Sequence, residues 1–136
     1  MGQLAEKVVE YFRRQYETLE GTVEENVETL FEEDFVYHLS DGKTVGREAI
    51  ITTAHRIRQA GGFCAASNII EIGSEVHLRM HARLPDANTG ELHSEHTDHV
   101  LHFNSEGKIT ENHPRQPGVV ERAFTAGGIE TAEPTG

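Results

Sequence analysis

The strictest hydrophobic pattern in the chain runs from Val76 to Leu84. Val76, Leu78, Met80, Ala82 and Leu84 alternate with His77, Arg79, His81 and Arg83. A period of two marks a strand with one buried face. The N-terminal third has a different period. Leu4, Val8, Tyr11 (or Phe12), Gln15, Tyr16 and Leu19 recur every three or four residues, predicting a helix over 4–20. Gly21 ends it, and Thr22 can cap a second helix over 23–33 with Val23, Val27, Leu30 and Phe31 on one side. Phe35-Val36-Tyr37 opens an extended segment, and Ser40-Asp41-Gly42-Lys43 reads as a turn. A third helix starts at Gly46-Arg47-Glu48-Ala49-Ile50, turns Ile50, Thr53, Ala54 and Ile57 inward, and stops at Gly61-Gly62. Residues 63–72 read as a strand and Gly73-Ser74 as a turn. Pro85 to Gly90 is a loop. Two more strands lie between His93 and His113, joined at Asn104-Ser105-Glu106-Gly107. Pattern fades from about Gln116.

Three helices followed by an antiparallel meander predict an α+β domain over residues 1–124, with a disordered tail at 125–136. A curved sheet of four or five strands folded over the helices makes a cone with one open mouth. Such concavities are the usual small-molecule sites.

Composition narrows the function. The chain has 136 residues, with 23 acids against 12 Lys plus Arg and a net charge of −11. Glu24-Glu25, Glu28 and Glu32-Glu33-Asp34 concentrate the acids early. They read as a solvated helix face that repels phosphate backbones, so nucleic acid is not an expected partner. No apolar run approaches the ~20 residues of a membrane span, mean hydropathy is −0.51, and no signal-peptide pattern opens the chain. A cytoplasmic protein is expected. The single cysteine, Cys64, reads as a small buried hydrophobe. No CxxC or HExxH spacing occurs, so neither a metal site nor a cofactor is expected.

Histidine is the conspicuous residue type. Five of the nine histidines fall between His93 and His113. Strand alternation divides them. Thr97, His99, Leu101 and Phe103 share one face, and two large apolar residues turn that face inward. His96, Asp98 and His102 face away from His99. His77 and His81 share the outer face of their strand, roughly 13 Å apart, too far to chelate one ion. In the last strand Ile109 would turn Glu111 and His113 inward, whereas the opposite register turns Thr110 and Asn112 inward.

The segments VVEYFRRQYETL, VETLFEEDFVYH, VGREAI and DHVLHFNSEGKI, in this order and spacing, resemble the nuclear-transport-factor-2-like superfamily. Within it they are most similar to SnoaL-like polyketide cyclases and ketosteroid isomerases. The resemblance covers residues 8 to about 116. It implies a cone-shaped sheet over three N-terminal helices, and a homodimer through the outer sheet face. It also implies that Tyr16 hydrogen-bonds a substrate oxygen. His38 stands at or near the place of the family's proton-abstracting aspartate. His99 stands where the family carries an inward aspartic acid beside the tyrosine. Histidine is well matched to proton transfer near neutral pH.

The expected function is cofactor-free acid–base chemistry, an isomerisation, cyclisation or dehydration, on an apolar molecule bearing a carbonyl or hydroxyl. His38 or Asp41 is the expected base, and Tyr16 and His99 would hold the oxygen where charge develops. Phe12, Phe31, Ile57, Leu78, Met80, Ala82, Leu84, Leu101 and Phe103 would form the walls, with Asn112 added if its face points inward. The alternative is a non-catalytic binding or interaction module on the same fold, in which inward histidines are satisfied core groups.

Overall fold

Helix α1 (Gln3–Phe12) buries Val8 and Tyr11 as the sequence predicts, with Ala5 in place of Leu4. The α-helical path does not continue to residue 20. Arg13–Glu17 forms one π-helical turn instead. That wider turn, a form often found at functional sites, carries Gln15 fully inside. Its amide donates to the Val23 carbonyl and accepts from Asn26 Nδ2 (2.9 Å) and Arg58 Nη2 (3.0 Å). The buried polar group is thereby satisfied.

The structure, a computed structural model, describes residues 2–86, 89–126, 131 and 132. Helix α2 (Val23–Leu30) opens with a reciprocal Thr22–Glu25 capping box. It stops three residues short of the expected end because Phe31 is already extended and begins β1 (Phe31–His38). After β2 (Thr44–Gly46), α3 (Arg47–Ala60) buries Ala49, Ile51, Thr53, Ala54 and Ile57. It ends where Gly61 takes φ +72°, a backbone position that suits glycine. The strands β3 (Phe63–Ile72), β4 (Glu75–Pro85), β5 (Leu92–Phe103) and β6 (Ile109–Pro114) follow.

These strands form one six-stranded sheet in the order β2-β1-β6-β5-β4-β3. The meander β3 to β6 is antiparallel, but β1 lies parallel to β6, so the cone is a mixed sheet rather than an antiparallel one. Three register irregularities interrupt it, the first in β1 between Phe31 and Val36 against β6. The second lies in β3 between Ser67 and Ile70, where Asn68 has φ +51°. The third lies in β6, where His102 pairs with Glu111 and Phe103 with Ile109, leaving Thr110 as the extra residue of a bulge.

The fading sequence pattern hid one element, helix α4 (Val119–Ala126). Val119 and Phe124 are buried, and the Phe124 ring meets Tyr37 edge-on at 5.0 Å. Burying such side chains is worth about 1.5–3 kcal/mol each. Glu121 anchors the helix by accepting from Ser40 N (2.5 Å) and Ser40 Oγ (2.7 Å). The expected tail at 125–136 lies partly outside the described residues. Within it, Thr125 and Ala126 close α4, and Ala132 exchanges two backbone hydrogen bonds with Thr44. No helix among the described residues is long and apolar enough to cross a membrane.

Candidate functional site

Among the described residues, two small voids of about 60 and about 40 Å³ lie inside the cone. Tyr11, Phe12, Phe31, Met80 and Asn112 wall both. Drug-sized ligands need roughly 300–1,000 Å³. The cone as it stands therefore has room for a few waters or a small fragment. Val120 and Phe124 of α4 help to close the larger void.

Few polar groups reach this apolar space, and two of them carry a donor without a partner among the described residues. Thr53 Oγ1, on the inner side of α3, is buried with no hydrogen bond among the described residues. Asn112, on β6, uses its side-chain oxygen to accept from His99 Nδ1–H at 2.9 Å, which leaves its NH₂ uncommitted. His99 is fully engaged, because Thr97 Oγ1–H also donates to its Nε2 at 2.6 Å. Burial holds the His99 pKa below the ordinary histidine value, against smaller opposing effects from the Asn112 bond and Asp98. The ring is neutral near pH 7, and its Nδ1–H fixes how the Asn112 amide is presented.

Three tyrosines complete the wall of the larger void: Tyr11, Tyr16 and Tyr37. Burial raises the pKa of each, and the Tyr11 and Tyr16 hydroxyls interact with one another. Burial also pushes the Cys64 thiol up to about 12. All four are protonated, uncharged groups at neutral pH. Phe12, Tyr16 and Cys64 also line an external groove of about 540 Å³ between the end of α1 and the start of β3. They form the partition between that groove and the cone interior.

The structure brings together part of the expected site. Tyr16, Phe12, Phe31, Ile57, Met80 and Asn112 wall the larger void, and His99 and Leu101 wall the smaller one. Ala82, Leu84 and Phe103 are buried, but they are core rather than wall. The reason at the Ala82–Leu84 end is α4: its Val119 N–H donates to Glu95, the cross-strand partner of Ala82. Two expected bases lie elsewhere. Tyr37 takes the inward face of β1, so His38, the next residue, faces out, bonding Glu111 and stacking on His113. Asp41 is exposed and accepts from Lys43 N at 2.9 Å, a turn-forming role.

The face of β6 follows from its bulge. With Thr110 as an extra residue, Ile109 and Asn112 both point inward, and Glu111 and His113 point outward. Among the described residues this gathers His38, Glu111 and His113 within metal-ligand range of one another, although no sequence spacing had suggested a metal site. His96 and His102 face away from His99 as expected; His96 stacks on His81 at 4.3 Å. Sequence reasoning missed Tyr11, Tyr37, Ile50, Thr53, Cys64, Val120 and Phe124 as wall residues of the larger void. Thr53 was legible as an inward polar position on α3, and Val119-Val120 with Ala123-Phe124 is a short helical spacing.

No family model matches the chain, and no curated protein matches it. Its fold is found among solved structures. An epoxide hydrolase/cyclase-like enzyme, SalBIII, from pyran ring formation in the polyether salinomycin, is 21% identical, with 82% of this chain and 88% of that chain covered and a TM-score of 0.66. A candidate SnoaL-like polyketide cyclase from Jannaschia sp. is 13% identical over 82% and 83%, with a TM-score of 0.64. A nuclear-transport-factor-2-like protein of unknown function from Burkholderia pseudomallei is 15% identical over 93% and 98%, with a TM-score of 0.65. The chain has the cone-shaped α+β fold shared by these proteins.

Proposed function

We propose that this chain is a small-molecule enzyme performing cofactor-free acid–base chemistry, an isomerisation, cyclisation or dehydration, on a compact apolar molecule with a carbonyl or hydroxyl. One observation carries the reading. Two donors without a partner among the described residues, Thr53 Oγ1–H and the Asn112 NH₂, belong to residues that wall the same apolar void as Tyr16. A buried hydroxyl without a partner costs about 1–3 kcal/mol, a cost removed when a ligand oxygen meets it. Asn112 and Tyr16 would hold that oxygen as negative charge develops, where donors fixed in a dry site act most strongly. His99, a neutral imidazole on the wall of the adjoining smaller void, is the proton-transfer group in this reading. Its Nε2 accepts a proton once the Thr97 hydroxyl turns away. A ligand larger than the void enters by displacing the inner side of α4. The likeness of the fold to cyclase structures supports this reading.

A second reading is a non-catalytic binder. It is favoured by the engagement of both His99 nitrogens. Small cyclic ketones in D₂O separate the two. Under the enzyme reading the protein accelerates loss of the α-proton NMR signals, and Asn112→Ala slows that exchange by about 10²–10³, as expected for a lost oxyanion donor. His38→Ala leaves the exchange unchanged. Saturable ketone binding with no exchange in the wild type would establish the binder.

A further inference from the structure

Strands β1 and β6 run parallel, with Val36 opposite Glu111 and Tyr37 opposite Asn112. One residue further on, His38 and His113 lie side by side on the face turned away from the cone. Their rings stack with centroids 4.1 Å apart and planes within 12°. Glu111 shares that face and spans the pair, with Oε1 3.1 Å from His38 Nε2 and Oε2 3.6 Å from His113 Nε2. One ligand atom from each of the three side chains lies within 4.8 Å of the others.

We propose that His38, Glu111 and His113 form a binding site for a zinc-class divalent ion, with the remaining coordination position open to solvent. Zinc takes imidazole nitrogen at about 2.0–2.1 Å and carboxylate oxygen at about 2.0–2.2 Å, so tetrahedral ligands stand roughly 3.3 Å apart. The two Glu111 separations bracket that value. Two imidazoles and one carboxylate are the donor set such ions favour over magnesium or calcium. Hydrogen-bonded neighbouring strands fix all three backbones, so binding requires only that the two rings rotate out of their stack. The side chains are 35%, 40% and 41% exposed, which lets an ion reach them without unfolding. The net charge of −11 raises the local cation concentration. His102, opposite Glu111 on β5, packs edge-on to His113 at 4.9 Å and is placed to steady that ring.

The same sheet face holds a built-in control. His81 and His96 also stack, at 4.3 Å, but join no such three-residue group among the described residues. The test uses untagged, chelator-stripped protein titrated with Zn²⁺ against a chromogenic chelator. Saturable binding in the micromolar range is expected. His38→Ala and His113→Ala should each weaken it at least tenfold, and His81→Ala should leave it unchanged. A measurement without variants runs alongside: Zn²⁺ should protect His38 and His113 from diethyl pyrocarbonate, read by mass spectrometry. Absence of saturable Zn²⁺ binding, or binding and labelling that ignore His38 and His113, would overturn the site.

Discussion

The two sides of the sheet treat histidine in opposite ways. On the inner side, His99 is 2% exposed, both its nitrogens are bonded within the chain, and burial keeps it neutral. On the outer side, His38 and His113 are half-buried, stacked, and bridged by a carboxylate whose pKa is lowered, chiefly by the His38 hydrogen bond. Strand β6 supplies both environments from consecutive residues: Asn112 to the inside, Glu111 and His113 to the outside. Which chemistry a histidine can serve is decided by the face it takes and not by its neighbours in sequence. A dry face holds the ring neutral in one tautomer beside the void. A wet face leaves its nitrogens open to solvent and able to accept an ion.

Substitutions across the two faces should reproduce this asymmetry. The largest contrast is expected for adjacent residues of β1. Phe35→Ala empties a fully buried core position and should cost about 3–5 kcal/mol in urea unfolding, whereas Val36→Ala, on the outer face, should cost less than about 1.5 kcal/mol. An intermediate contrast separates the histidines. His99→Leu strands the Thr97 hydroxyl and the Asn112 oxygen and should cost about 1–3 kcal/mol, while His38→Leu should stay within about 0.5 kcal/mol. Equal losses at His99 and His38 would erase the distinction.

The smallest effect is the pH dependence. Because burial lowers the His99 pKa, the unfolded chain binds more protons than the folded one between the folded value and the ordinary value of about 6.5. The His99 contribution is therefore complete above about pH 6.5 and is lost as pH falls through that window. His113 is shifted in the same direction and adds to the slope. His99→Gln should flatten the fall in denaturation midpoint over that range without abolishing it. An unchanged slope would mean that His99 does not carry it.

The inner face was more legible from sequence than the outer one. The alternation from Val76 to Leu84, and the set Thr97, His99, Leu101 and Phe103, placed those side chains correctly because uninterrupted strands keep a period of two. The period failed where it was broken. The extra residue Thr110 turns both Ile109 and Asn112 inward, and no composition signal marks that bulge. His38 was drawn to the pocket by the family resemblance, and Phe35-Val36-Tyr37, apolar at every position, leaves the buried face of β1 open in the sequence. Only the packing of Tyr37 against Phe124 and His99 settles it. The outer three-residue group was invisible for a topological reason: its members come from strands 73 residues apart that meet through a parallel pairing.

That pairing also sets the order in which the molecule can be completed. β1 has emerged early in synthesis, but its parallel neighbour β6 begins only at Ile109. Until then β1 has only the short β2 beside it, and the hydrogen-bonding edge that β6 will occupy stays open. The polar wall of the cone is divided in the same way, with Tyr16 and Thr53 made early and Asn112 late. Contacts of such long sequence separation slow folding, because the loop must close before the pairing stabilises it. The final strand thus closes the sheet and adds the last of these polar wall residues in one late step, so a chain halted before Ile109 has neither the closed sheet nor Asn112.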